Sequence, residues 1–184
     1  MADLAGKKVL ALVTNRGVEQ DELKVPVDRL RGAGAQVTVT APETGDVQTL
    51  VGDWDLGEKI PVDSALADVN EADFDLLLVP GGTLNADNLR LDTDAQRIAQ
   101  SFASSGRPIA SICHGPWLLV ETGLLKGKTL TSYTSVKTDV ENAGGTWKDV
   151  EVFRCTAEGY TLITSRNPGD LDPFIGAIED ELSA

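Results

Sequence analysis

Short apolar runs alternate with amphipathic stretches along almost the whole chain. Apolar and β-branched runs predict seven strands, at residues 8–13, 36–40, 74–79, 107–112, 128–132, 150–154 and 160–164. Apolar residues at helical spacing predict four helices, at residues 21–31, 92–104, 117–122 and 172–182. Because strands and helices alternate and the first strand is apolar throughout, we expect an α/β fold with a doubly wound, mostly parallel sheet.

One stretch departs from this alternation. Residues 42–62 are rich in glycine and acidic side chains, and they predict an irregular excursion with short strands, anchored by Trp54 and Ile60. Trp117 and Trp147 are also expected to be hydrophobic anchors. No linker interrupts the pattern, so we expect residues 1–184 to form a single domain.

Composition narrows the class of protein. Hydrophobic residues make up 41% of the chain and charged residues 24%, as in an ordinary globular protein. The formal net charge of -13 disfavours binding to nucleic acids and to acidic lipid surfaces. No apolar run is long enough to span a membrane and the first residues lack a signal-peptide core, so we expect a cytoplasmic protein.

The tripeptide Cys113-His114-Gly115 carries the most specific chemistry. It follows the apolar run 107–112 and precedes Pro116 and a short helical stretch, so it predicts a strand-to-helix elbow. Such a turn holds its central side chain at the carboxyl edge of the sheet, where the following helix favours a thiolate. His114 is the only histidine, and it alone could assist with an imidazole. A buried, inert thiol is the alternative interpretation.

Other chemistries have less support. Cys155 lies near a strand end, where packing explains it, and a disulfide with Cys113 is improbable in a reducing cytosol. A single histidine cannot build the usual metal sites, so no metal is expected. We expect no cofactor, since both the dinucleotide fingerprint and the P-loop are absent. The Gly81-Gly82 pair directly follows a predicted strand, and it could bring backbone N–H groups close to a bound carbonyl.

Four segments together resemble the ThiJ/PfpI family, within the class I glutamine-amidotransferase-like fold. They lie at residues 19–34, 74–82, 110–116 and 165–171, and the resemblance covers nearly the whole chain. It implies a flavodoxin-like sandwich. More narrowly, the chain is similar to the PfpI branch of intracellular proteases and general stress proteins, in which histidine directly follows the nucleophilic cysteine.

The resemblance also implies roles for particular residues. Cys113 corresponds to the nucleophile and His114 to its partner base. Glu19 corresponds to an acid that hydrogen-bonds the cysteine sulfur, which requires a protonated carboxyl and therefore burial. The N–H groups of Gly81, Gly82 and His114 would form an oxyanion hole.

Two further positions follow from the same resemblance. Asp87 corresponds to an acid that reaches the histidine across a subunit interface, so the family implies at least a homodimer. Asp92 is the alternative orienting acid, and capping of the following helix is its simpler role. Tyr133 corresponds to a position that lines the pocket.

The resemblance implies a cytosolic, stress-related cysteine hydrolase that attacks a carbonyl group. Its reaction could be peptide hydrolysis, repair of methylglyoxal or glyoxal adducts on proteins, or conversion of those aldehydes to hydroxy acids. A small pocket would favour aldehydes, and a long groove would favour peptides. The alternative is a redox sensor or chaperone-like protein in which Cys113 is oxidised without turnover. A glutaminase-like domain is disfavoured, because it would use a distant His-Glu pair.

Overall fold

A seven-stranded sheet forms the centre of the computed structural model, which describes residues 2–184. Its strands are β1 (Lys8–Leu12), β3 (Gln36–Ala41), β6 (Ser64–Ala65), β7 (Leu76–Val79), β8 (Ile109–Ile112), β11 (Val152–Cys155) and β12 (Leu162–Ser165). The strand order is β11-β12-β8-β7-β1-β3-β6, and every neighbouring pair is parallel except β11 and β12. The predicted α/β fold with a mostly parallel sheet is confirmed.

Helices cover both faces of this sheet, because successive residues of each buried strand point to opposite sides. Val9 and Ala11 of β1 pack in one apolar layer, and Leu10 and Leu12 pack in the other. The helices are α1 (Gln20–Gly32), α2 (Thr83–Leu89), α3 (Thr93–Ser104), α4 (Trp117–Glu121), α5 (Lys137–Asn142) and α6 (Leu171–Ser183). Helices α1 and α6 lie on the first face, and α3, α4 and α5 lie on the second.

A separate three-stranded sheet replaces the irregular excursion predicted for residues 42–62. It contains β2 (Arg16–Glu19), β4 (Gly45–Val51) and β5 (Asp55–Val62), in the order β2-β4-β5. β4 and β5 form an antiparallel hairpin whose turn contains Gly52 and Asp53. The prediction that Trp54 is a hydrophobic anchor is wrong, since its side chain stands at this turn and is 87% exposed.

The remaining differences are local. The predicted strand at residues 128–132 shrinks to β9 (Thr129–Leu130), which pairs only with β10 (Thr146–Trp147). Helices α2 and α5 were not predicted, and they are only seven and six residues long. Within residues 2–184, no helix is long and apolar enough to cross a membrane.

Candidate active site

Cys113 stands on a sharp turn at the carboxyl end of β8, as the elbow prediction requires. Its φ of 62° lies in the left-handed region, which is unfavourable for a residue with a side chain. The turn is held because the Cys113 N–H donates to the Ser165 carbonyl at 3.0 Å, while the Tyr133 N–H donates to the Cys113 carbonyl at 2.9 Å. Pro80-Gly81-Gly82 directly follows the neighbouring strand β7, so both predicted motifs meet at one edge of the sheet.

The imidazole of His114 turns back onto the sulfur of the preceding residue. Its Nδ1 lies 3.1 Å from Cys113 Sγ, and the ring is almost fully buried. Nε2 lies 3.3 Å from both the Thr83 and the Ser135 hydroxyl oxygens. Burial lowers the pKa of His114, so the ring is neutral at physiological pH and one of its nitrogens can accept a proton.

The acid beside the sulfur is Glu22, and the prediction that Glu19 occupies this place is wrong. Glu22 is fully buried in the first turns of α1, and its Oε2 accepts the Gly81 N–H at 2.8 Å. Its Oε1 is buried without a hydrogen-bond partner among the described residues. A buried, unpartnered carboxylate oxygen is costly, whereas a protonated oxygen can donate to the adjacent Cys113 sulfur. Burial accordingly raises the pKa of Glu22 to about 8.

Glu19 is the N-cap residue of the same helix, and its carboxylate is occupied by the hairpin turn. Its two carboxylate oxygens accept the N–H groups of Gly52 and Asp53, each at 3.2 Å. Glu19 therefore holds the turn of the β4–β5 hairpin against the end of β2. Its contribution to the site is the position of that turn rather than a contact with the sulfur.

The expectation of a thiolate stabilised by the following helix also needs correction. Burial and the negative charge of an ionised Glu22 raise the pKa of the Cys113 thiol above its ordinary value, while the N–H groups of Gly82 and His114 oppose the rise. Helix α4 has only five residues, so its dipole is weak. The thiolate is therefore favoured only when Glu22 keeps its proton and donates it to the sulfur.

The two glycines after β7 have different roles. The N–H groups of Gly82 and His114 both lower the pKa of the Cys113 thiol, as donors close to the sulfur do, and they form the candidate oxyanion hole. Gly82 has a φ of 82°, and a Cβ there would lie 2.4 Å from the Gly17 carbonyl oxygen. The Gly81 N–H is already used by Glu22, so the prediction that it binds the oxyanion is wrong.

A cavity of about 190 Å³ opens beside the sulfur. Tyr133 lines it, as predicted, and its ring stacks on His114 with 4.6 Å between ring centroids. The other lining residues are Glu19, Glu22, Gly52, Asp53, Gly82, Cys113 and Pro168. Carboxyl groups and backbone N–H groups therefore surround a small space that one thiol can reach.

Neither acid proposed to orient His114 contacts it within one chain. Asp87 is exposed on α2 and lines a neighbouring cleft with Thr83 and Trp117, so its contact across a subunit interface stays a prediction. Asp92 caps helix α3 by accepting the N–H groups of Asp94 and Ala95, each at 2.9 Å, which is its simpler role.

Other residues that build the site were not among the predicted site residues. The Gly52-Asp53 pair between two strand-like runs is a hairpin signal that could have located Asp53. Glu22 lies four residues before Pro26 and eight before Leu30, on the buried face of α1, and that periodicity could have separated it from Glu19. Asn85 gave no signal, although its side chain joins the end of β1 to the Gly81 carbonyl. Among the described residues, no cluster of histidine, cysteine or acidic side chains could hold a metal ion.

Comparisons with known proteins identify the family of this chain. The family model described as "DJ-1/PfpI family" matches residues 7–181. The chain is 40% identical to the putative cysteine protease YraA of Bacillus subtilis, over 91% of this chain and 94% of that protein. It is 38% identical to general stress protein 18 of the same bacterium, over 92% and 94%, and 40% identical to deglycase PH1704 of Pyrococcus horikoshii, over 89% and 92%.

The folds agree as well. The crystal structure of Drosophila melanogaster DJ-1beta superposes with a TM-score of 0.84 at 33% identity, over 96% of this chain and 90% of that one. The family match covers almost the whole chain, relatives are up to 40% identical, and the fold is shared, so all three comparisons support the same family. The chain belongs to the DJ-1/PfpI family, whose named relatives include a protease, a stress protein and deglycases.

Proposed function

We propose that this protein is a stress-related, cytoplasmic, cysteine-dependent enzyme that acts on a small carbonyl compound such as methylglyoxal or glyoxal, free or attached to a protein. The observation that carries the proposal is the size of the cavity beside Cys113, about 190 Å³. Pockets for drug-sized ligands have volumes of roughly 300–1,000 Å³, and a peptide substrate needs an extended groove. A short dicarbonyl fits the space that the thiol can reach.

The residues around the sulfur suit attack on such a carbonyl. The thiol proton passes to His114 Nδ1, 3.1 Å away, while sulfur bonds to the aldehyde carbon and the carbonyl π electrons move to oxygen. The N–H groups of Gly82 and His114 stabilise the resulting oxyanion. His114 then returns the proton to that oxygen, which gives a neutral hemithioacetal.

A free dicarbonyl can react further without any external oxidant. Two proton transfers convert the hemithioacetal into a thioester of a hydroxy acid: the carbon-bound proton moves from the first carbon to the second, and the hydroxyl proton moves from the first oxygen to the second. Water then cleaves the thioester, which releases the hydroxy acid and restores the thiol. The net reaction adds water to the substrate, so its atoms and electrons balance with no cofactor.

Turnover measurements on cysteine variants test this proposal. We expect the reduced wild-type protein to consume methylglyoxal, Cys113→Ala to lose this activity, and Cys155→Ala to keep it. Cys155 is the matched control because it is also a buried, free thiol. A fluorogenic peptide should not be cleaved. Loss of activity in both variants, or cleavage of the peptide without consumption of the aldehyde, would contradict the proposal.

A redox sensor is the second candidate, and one observation favours it. Three donors surround the sulfur, namely the protonated Glu22 carboxyl and the N–H groups of Gly82 and His114, and they would bind the oxygens of a sulfinate. Mass spectrometry after mild peroxide treatment tests it. Oxygen addition confined to Cys113 in a protein that turns over no carbonyl would favour the sensor over the enzyme.

A further inference from the structure

The turn of the β4–β5 hairpin reaches the catalytic pair through one hydroxyl group. Asp53 accepts the Thr83 N–H with Oδ1 and the Thr83 O–H with Oδ2, each at 2.7 Å. Thr83 Oγ1 in turn lies 3.3 Å from His114 Nε2. Because the single hydroxyl proton of Thr83 is donated to the carboxylate, only the lone pairs of its oxygen face the imidazole.

This direction of hydrogen bonding decides where the imidazole proton lies. A neutral imidazole has one N–H and one bare nitrogen, and the partner of one nitrogen fixes the state of the other. An acceptor next to Nε2 favours a proton there, which leaves the lone pair of Nδ1 facing the Cys113 sulfur. The opposite tautomer would place an N–H at Nδ1, and that group could not take the thiol proton.

We propose that Asp53, acting through Thr83, is the positioning residue that holds His114 as the Nε2–H tautomer, so that Nδ1 is the base for Cys113. The base role of Nδ1 rests on the proposed function, but the tautomer itself does not. Ser135 lies equally close to Nε2, and its hydroxyl can donate or accept, so it does not choose between the tautomers. Asp53 is thus the group in the same chain that fixes the hydrogen-bond direction.

The position of Asp53 is itself defined by the fold. Its backbone is in the left-handed region, with a φ of 61°, and Glu19 binds its N–H from the start of α1. The carboxylate can therefore face Thr83 without spanning a flexible loop. This arrangement completes the site within one subunit, whereas the family resemblance implies that Asp87 of a second subunit orients the histidine.

The substitution Asp53→Asn reverses the direction of the hydrogen bonds while keeping the shape. The new amide oxygen accepts the Thr83 N–H, so the new NH₂ group faces Thr83 Oγ1 and donates to it. The Thr83 hydroxyl proton is then free to donate to His114 Nε2. We expect the histidine proton to move to Nδ1 in this variant.

Nuclear magnetic resonance of ¹⁵N-histidine-labelled protein measures this directly, because His114 is the only histidine in the chain. We expect a protonated Nε2 and a bare Nδ1 in the wild-type protein, and the reverse in Asp53→Asn. Asp55→Asn, on the same hairpin, and Asp87→Asn should both keep the wild-type pattern. A wild-type signal from protonated Nδ1, an unchanged pattern in Asp53→Asn, or a reversal in Asp87→Asn would overturn the proposal.

A second pair of variants tests the same relay independently, in case Asp53→Asn does not fold. Thr83→Val removes the relay and should give a mixture of tautomers, while Thr83→Ser keeps the hydroxyl and should restore the wild-type pattern. Equal spectra for these two variants would overturn the relay. If the protein turns over methylglyoxal, kcat of Asp53→Asn should fall about 10- to 100-fold at unchanged KM, less than the roughly 10²- to 10⁴-fold contribution of a general base.

The two proposals fail in different ways. Absence of turnover with every carbonyl would refute the proposed function and leave the tautomer measurement intact. A tautomer independent of Asp53, in a protein that consumes methylglyoxal, would refute the relay alone.

Discussion

A carboxyl group with no exposed surface, Glu22, stands beside the Cys113 sulfur, and its titration links stability to pH. Its pKa rises from 4.5 to about 8 on folding because burial penalises the charged form. The folded state therefore holds this proton more tightly than the unfolded chain does. The resulting stability is complete below the unfolded value of 4.5 and is lost as the pH rises towards 8.

The substitution Glu22→Gln tests this linkage, because an amide keeps the shape of the protonated carboxyl and cannot ionise. We expect the free energy of unfolding of the wild-type protein to fall, relative to the variant, by up to about 1.4 kcal/mol per pH unit in that range. Urea denaturation of both proteins at about pH 5 and about pH 8 measures how the difference between their free energies of unfolding changes with pH. Glu43→Gln, at an exposed position, is the control, and a constant difference between wild type and Glu22→Gln would contradict the prediction.

Gly81 is required for steric reasons rather than for its backbone angles. A Cβ there would lie 2.6 Å from Glu22 Oε2, 2.7 Å from Cys113 Cβ and 2.8 Å from the Ile112 carbonyl oxygen. We expect Gly81→Ala to destabilise the fold by about 1–3 kcal/mol and to separate Glu22 from the sulfur, with a loss of activity.

Gly176→Ala is the matched control for this substitution. Gly176 lies inside helix α6, and nothing lies within 4 Å of an added Cβ. We expect it to stabilise the fold by roughly 0.5–1 kcal/mol, because alanine is the better helix former. Thermal denaturation of both variants should therefore give shifts of opposite sign, and two shifts of the same sign would contradict the steric interpretation.

Among the elements, the short strand β9 is tied to the central sheet through a buried lysine. The Lys128 ammonium donates to the carbonyl oxygens of Ala157 and Tyr160, and it lies 3.5 Å from the centroid of the Tyr160 ring. The side chain is fully buried, and burial lowers the pKa of Lys128. This contact secures the chain just before β12, the strand that neighbours β8.

Lys128→Met removes the donor and leaves the two carbonyl oxygens without their partner. We expect it to lower the free energy of unfolding by about 1–3 kcal/mol, the cost of unsatisfied buried polar groups. Lys126→Met, at a nearby exposed position, should change stability by less than about 0.5 kcal/mol. Chemical denaturation of both variants measures the difference, and equal effects would show that the buried contacts contribute nothing.

The strands that are buried on both faces of the central sheet were predictable from the sequence, whereas the half-exposed strands of the hairpin were not. β7 is entirely apolar, and β1 and β8 are apolar except for Lys8 and Ser111, as is typical of parallel strands that are covered on both faces. The β4–β5 hairpin is mostly polar and half exposed, so its periodicity is weak and predicts only an irregular segment with short strands. The weak periodicity of this hairpin also explains why Asp53 was not predicted as a site residue. The position of a turn residue can be predicted only after the strands on either side of it are recognised.

The site shows the same division between local and tertiary information. Cys113, His114 and Gly82 lie within recognisable strand-end motifs, so their places at the candidate site could be predicted from neighbouring residues. Glu19 was predicted in place of Glu22 because both acids lie near the start of α1. Only the rotation of this helix about its axis decides which carboxyl group faces the sulfur. The raised pKa of Cys113 was unpredictable, since it depends on that buried acid from another part of the chain.

At the scale of the whole molecule, apolar side chains stand exposed next to the candidate active site. Trp54 is 87% exposed and Leu56 67% at the hairpin, and Leu84 is 43% exposed on α2. The Asp53–Thr83 hydrogen bonds bring the hairpin turn and the start of α2 together. Exposed apolar groups at one place are typical of an interaction surface, and the family resemblance implies a second copy of this chain as the partner.

We therefore predict a homodimer that uses this surface. Trp54→Ser should shift sedimentation velocity profiles towards the monomer, whereas Val25→Ser, which removes an exposed apolar side chain from α1, should not. Each chain carries a net charge of -13, so association brings like charges together and should strengthen as salt screens their repulsion. A wild-type monomer at all salt concentrations would contradict the prediction. A dimer that is unaffected by Trp54→Ser would place the interface on another face and remove the support for a contact between Asp87 and the partner's histidine.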